Sequence, residues 1–218
     1  YYCWDKSTGK SETMIFYHKN GSELRTVTFD INGDAVFRDI AYDDFGNVVK
    51  ETLPYYVDNE KIFTTKKYDK YNRLVEIKYP NDLICEIEYE GNKVITGVGS
   101  KDGNKRIKID NLNEMGWVVS TTDVGGNVIS YEYYSDGLVK SALINGNENT
   151  RIIVKYDNNR NRSYMRDPNY GSVSYFNDAL GNITKVITNN GNISEFEYDK
   201  SGRKVRCEEI DSKSNEKM

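Results

Sequence analysis

One histidine, three cysteines, three prolines and two tryptophans among 218 residues leave little material for a catalytic or metal centre. The lone His18 cannot complete a zinc set, and Cys3, Cys85 and Cys207 lie outside metal-ligand spacing. An odd number of cysteines allows at most one internal bridge. Cys85, in phase with Leu83, Ile87 and Tyr89, reads as a small buried hydrophobe instead. No apolar run approaches membrane-spanning length, so no membrane insertion is expected. The 30 basic and 34 acidic residues are dispersed, for a net charge of -4, and leave no basic stripe for phosphate neutralisation, so nucleic acid is not expected as a partner. Linkers rich in Pro or Ser, or in one sign of charge, are also missing. A single domain over residues 1–210 is expected, with a polar, frayed tail at 211–218. The chain begins Tyr1-Tyr2 without Met and reads as a processed product or a piece of something larger.

The sequence is rich in tyrosine and glycine, with 18 and 17 residues. The stretch from Phe176 to Val205 states one pattern three times: a polar turn ending in Gly, a basic or amide residue, then alternating apolar and polar positions. Its turns end at Gly181, Gly191 and Gly202. Similar marks recur from Gly21 through Gly33 and Gly46 onward, most of them about 10 to 13 residues apart, the spacing of short strands joined by tight turns. Between them the period is two, as in Leu83, Cys85, Ile87 and Tyr89 against Glu86 and Glu88. No segment repeats at helical spacing. An all-β chain is therefore expected, a single antiparallel meander of about 16 to 18 short strands that curls into a spiral, trough or half-shell.

Tight turns need a residue at positive φ and a side chain that caps backbone amides. That assigns Asp43, Asp69, Asp157, Asp178 and Asp199 to shaping turns rather than to acid–base chemistry. The tyrosines before them, Tyr42, Tyr68, Tyr156 and Tyr198, end strands, where stacking on the Tyr of an adjacent hairpin contributes roughly 0.2 to 1 kcal/mol per pair. Three places strain the pattern: a longer turn within Ile109–Trp117, Pro54 in a strand-like run, which suits an edge or bulge, and a Pro-type turn at Asp167-Pro168-Asn169.

Tyr198-Asp199-Lys200-Ser201-Gly202-Arg203 resembles the YD repeat of the RHS family. Tyr42-Asp43-Asp44-Phe45-Gly46-Asn47 is close, and Tyr68-Asp69-Lys70-Tyr71-Asn72-Arg73 replaces Gly with Asn. The stretch from Tyr156 to Arg162 reads as carrying a one-residue insertion, and those at Tyr89 and Tyr134 as shortened. The resemblance implies a β-strand spiral of the kind that in long members forms a hollow shell around a toxin domain. It also implies secretion or cell-surface display, and carbohydrate or cell-surface binding has been attributed to such repeats. The residues given show no core-associated segment, self-cleavage signature or toxin domain of that family, so the enclosing, self-cleaving version is not what is expected of them.

No nucleophile elbow, phosphate loop or metal cluster is present, and no cofactor is expected. The acid pairs Glu86 with Glu88 and Glu195 with Glu197 are strand neighbours on one solvated face, unsuited to a two-carboxylate glycosidase. Two functions remain. One is a non-enzymatic scaffold, an arc of a curved wall whose partners are the rest of a longer repeat chain or its enclosed cargo. The other is a glycan- or surface-binding module, for which Tyr55, Tyr56 and Trp117 are the candidate stacking residues because they stand where the repeat is broken.

Overall fold

The computed structural model describes residues 1–5 and 12–211; the expected tail, from residue 212 on, lies outside the described residues. All regular structure in it is β-strand, with antiparallel pairing throughout. The chain forms two compact units, Tyr1–Ile109 and Asp110–Met218.

The first unit holds β1 (Tyr2–Asp5), β2 (Thr13–Tyr17), β3 (Glu23–Phe29), β4 (Ala35–Tyr42), β5 (Val48–Thr52), β6 (Tyr55–Tyr56), β7 (Phe63–Tyr68), β8 (Leu74–Lys78), β9 (Leu83–Glu90) and β10 (Lys93–Ser100). Consecutive strands pair, with one exception. One half of β4 pairs with β5, Ile40 opposite Glu51, while the other half pairs with β6, Phe37 opposite Tyr55, and β5 continues to β7. Pro54 sits in the excursion that makes this possible, outside any strand. β11 (Arg106–Leu112) carries the chain into the second unit, which continues with β12 (Val118–Thr122), β13 (Val128–Tyr133), β14 (Val139–Ile144), β15 (Asn147–Tyr156), β16 (Arg162–Asp167), β17 (Gly171–Asn177), β18 (Ile183–Thr188), β19 (Ile193–Tyr198) and β20 (Lys204–Ile210). From β12 onward each strand pairs with the next.

The described residues thus form 20 strands, more than expected; one of them, the two-residue β6, is too short to show an alternating pattern. The core is thin. Among apolar side chains only Val27, Tyr55, Ile84, Cys85 and Val173 are buried in the described residues. Ile84 and Cys85 are chain neighbours and point to opposite faces, so both faces of β9 are covered. The cover over Ile84 is the chain itself. A Cβ on Gly99, which pairs with Ile84, would lie 2.9 Å from the Asn104 carbonyl oxygen, so only glycine admits this crossing. Lys105, which follows Asn104, pairs with Glu86, and the expected solvated face of Glu86 is therefore partly roofed.

Candidate functional site: the turn rim and its departures

The residues singled out in the sequence gather at the turns. In the turn after β4, the Asp43 carboxylate accepts hydrogen bonds from the amides of Phe45 and Asn47 at 3.0 and 2.9 Å and from Asn47 Nδ2 at 3.0 Å. Gly46 supplies the left-handed residue, φ 87°. Asp178 repeats this with Leu180 and Asn182. Asp69 and Asp199 differ only in the final partner, the Nε of Arg73 or Arg203 at 2.8 and 2.7 Å. The basic or amide residue after Gly is thus the second hand on the carboxylate. Hydrogen bonds from Asn47 hold the Asp43 carboxyl below the usual carboxylate range, and the Arg73 amide does the same for Asp69. Every one of these carboxylates is engaged within its own turn.

Asp157 shows that its turn carries no insertion. Its carboxylate accepts from the Asn159 and Asn161 amides as elsewhere, and Arg160 occupies the glycine place at φ 68°. The turn at Tyr134 is likewise not shortened: the Tyr134 amide donates to the Leu138 carbonyl and Gly137 closes the turn at φ 87°, with Tyr134 standing where Asp is found in others. Nor is the turn before Trp117 longer than the rest, since Asn113 caps the amides of Met115 and Trp117 and Gly116 holds φ 79°. Gly191 closes a turn headed by Thr188.

The tyrosines before these turns do something other than the expected ring stacking. After the turns that follow Tyr42, Tyr68, Tyr156 and Tyr198 the register shifts by one residue, as between Ala41 and Tyr42, where Tyr42 pairs with Val48 but Ala41 with Lys50. Such a bulge leaves a carbonyl outside the ladder. The next tyrosine along the sheet donates its hydroxyl to that carbonyl: Tyr42 to Glu23 at 2.8 Å, Tyr68 to Val48 at 3.1 Å, Tyr89 to Leu74 at 3.2 Å, Tyr133 to Val118 at 2.6 Å and Tyr198 to Ile183 at 2.9 Å. Where Asn177 replaces the tyrosine, its Nδ2 reaches the Arg162 carbonyl at 3.1 Å. Of the four tyrosines named for stacking, only Tyr156 lies against another tyrosine ring in the described residues, Tyr134 at 6.0 Å.

No protein-family model and no curated protein matches the chain. Solved structures do. A crystal structure of TcdB2-TccC3-TEV superposes with a TM-score of 0.71 at 13% identity over 99% of this chain and 14% of that one. TcdB2-TccC3 without its hypervariable C-terminal region gives 0.72 at 13% identity, over 95% and 13% of the two chains. A Photorhabdus luminescens Tc holotoxin pore gives 0.70 at 12% identity, over 99% and 13%. The shared property is the fold. This chain spans about one seventh of the length of those chains.

Of the three candidate stacking residues, Tyr55 is buried and offers no ring face to a ligand. Its hydroxyl donates to Asp39 Oδ2 at 2.6 Å and its ring stacks on Phe37 at 5.6 Å. Arg25 and Lys61 also reach Asp39, at 2.5 and 2.8 Å, and with Tyr55 they hold its carboxyl far below the ordinary range. Trp117 is half-buried, its ring 5.4 Å from Tyr133 and packed beneath the Gly137 turn. Tyr56 alone of the three is exposed, and its hydroxyl donates to Asp30 Oδ2 at 3.1 Å. All three cysteines are free. No group of three metal-ligating side chains comes together among the described residues.

Proposed function

We propose that this chain is an arc of a non-enzymatic YD/RHS-type wall within a longer, exported or surface-displayed protein, its partners being the neighbouring repeats and whatever that wall encloses. The observation that carries this reading is the relay from one bulge carbonyl to the next tyrosine hydroxyl, since it spends the recognisable side chains of the repeat on holding successive hairpins together. The burial supports it. Only five apolar side chains are buried among the described residues, Val27, Tyr55, Ile84, Cys85 and Val173. A sheet with so little second layer suits a wall whose faces look onto other material. The fold shared over nearly the whole chain with about one seventh of the Tc toxin chains fits the same picture.

The test is to probe secreted, surface and cytosolic fractions of the source cell with an antibody raised to this chain. A band several times larger than 25.1 kDa in an exported fraction is expected. A band of 25.1 kDa confined to the cytosol overturns the proposal.

A further inference from the structure

The tyrosine relay has an open end. Its acceptor is the carbonyl two residues past a turn's left-handed residue, as Glu23 stands to Gly21, Val48 to Gly46, Leu74 to Asn72, Val118 to Gly116 and Ile183 to Gly181. Gly202, at φ 75°, makes Lys204 the next such residue, and the register shift between Glu197 and Tyr198 builds the bulge there. Among the described residues no hydroxyl or side-chain amide reaches the Lys204 carbonyl, and β20 pairs with β19 alone. We infer that the edge of β20 docks one further antiparallel strand, the first of the next repeat, which closes in a tyrosine or asparagine that donates to the Lys204 carbonyl. On the wall reading, on which this proposal rests, that strand belongs to the next arc of the same longer protein.

Exposure marks the same edge. Ile183, Thr184, Lys185 and Val186 begin β18, which β19 flanks, and all four are half-buried. Their counterparts past Gly202 are Lys204, Val205, Arg206 and Cys207, and these are exposed, Val205 at 62%. A strand edge of this kind presents a row of backbone N–H and C=O groups that an extended segment can satisfy.

The donor selects the occupant. Tyr42, Tyr68, Tyr133 and Tyr198 are the last residues of β4, β7, β13 and β19, and Asn177 is the last of β17. An antiparallel neighbour brings its last residue beside the first residue of β20, which is Lys204. In four links the donor follows its acceptor by 15 residues, one strand, one turn and one strand further on. The donor therefore comes from the hairpin next in sequence. A second copy of this chain does not meet the demand. Its β20 holds neither tyrosine nor asparagine, and its β1 carries Tyr2 as the first residue, which antiparallel pairing takes to the end of β20 far from Lys204.

The experiment adds a peptide copying residues 192–199, acetylated and amidated at its ends, to the isotope-labelled full chain and follows the backbone amide signals. β19 lies on β18 with Glu195 opposite Lys185, and the same register on β20 sets that glutamate opposite Arg206. Saturating shifts confined to residues 204–210 are expected. A peptide with phenylalanine for its tyrosine should bind about fivefold more weakly, the size of one net hydrogen bond. Methylating alternate peptide nitrogens should abolish binding in one phase and spare it in the other, since only alternate amides face the neighbouring strand. No saturating shift, equal affinity of the tyrosine and phenylalanine peptides, or equal effects of the two methylation phases overturns the inference. Shifts of the β20 signals on diluting the protein alone also overturn it, because they make a second copy the occupant. Peptide binding reads the edge and the band on the blot reads the parent protein, so either proposal can fail while the other stands.

Discussion

Removing the tyrosine hydroxyls tests the relay directly. Tyr→Phe keeps the ring and its packing, so the difference reports the bond from hydroxyl to bulge carbonyl. In the second unit two such bonds are Tyr133 to Val118 at 2.6 Å and Tyr198 to Ile183 at 2.9 Å. Each is part-buried and joins neutral groups, for which the net contribution is about 1 kcal/mol. β13 and β19 lie six strands apart, roughly 29 Å at the usual strand spacing, so the two losses should add to about 2 kcal/mol. With a urea dependence of about 2 kcal/mol/M, the double variant Tyr133→Phe with Tyr198→Phe should unfold near 1 M lower urea than the parent. Hydrogen exchange should show the faster opening within residues 110–211 and not in 1–109. Tyr170→Phe is the control. That ring is 73% exposed and should cost less than about 0.5 kcal/mol. A double variant indistinguishable from this control would mean that the hydroxyls are spectators and that ring packing alone joins the hairpins.

Other consequences are open to similar measurement. Asp178→Asn should cost less than about 0.5 kcal/mol in urea unfolding, because Asn113 performs the same capping in its own turn, while Asp178→Ala, which strands two amides, should cost about 1 to 2 kcal/mol. Gly171→Ala combines φ 87° with a Cβ placed 2.7 Å from that of Asn189, and should lower stability by about 2 kcal/mol or more. The Asp39 carboxyl is depressed in the folded chain, so its stabilisation is fully present above the unfolded carboxylate value of about 3.9 and is lost as pH falls through the folded value. The melting-temperature gap between the parent and Asp39→Asn should therefore be constant at neutral pH and narrow progressively below about pH 4. Burial pushes the Cys85 thiol up, whereas Cys3 and Cys207 are exposed. Titration with a thiol reagent in the folded chain should show two reactive thiols and a third that reacts only on unfolding.

The sequence made the strands legible because a half-exposed sheet must alternate, and this chain alternates between turn marks wherever β12 to β20 run. The turns were less legible for a specific reason. A glycine search finds the usual bearer of positive φ, but the backbone asks only that some residue accept that conformation and that some side chain cap the amides. Arg160 meets the first demand and Asn113 the second, so turns of ordinary length looked inserted or irregular. The tyrosine relay was written in the sequence as spacing: Tyr42 follows Glu23, Tyr68 follows Val48 and Tyr198 follows Ile183, each acceptor two residues beyond a turn's left-handed residue.

The Leu53–Ile62 excursion was visible as a break but its geometry was not, because β6 contributes two residues and its partner is set by β4 having length to spare beyond β5. That is why Tyr55 and Tyr56, identical neighbours in sequence, part company in space. Successive side chains on a strand face opposite ways, and here one direction leads to the Asp39 cluster and the other to solvent beside Asp30. Treating the pair as one exposed platform ignored that alternation. A break in a repeat marks where to look, and strand parity then decides which of two equal residues is free to meet a ligand.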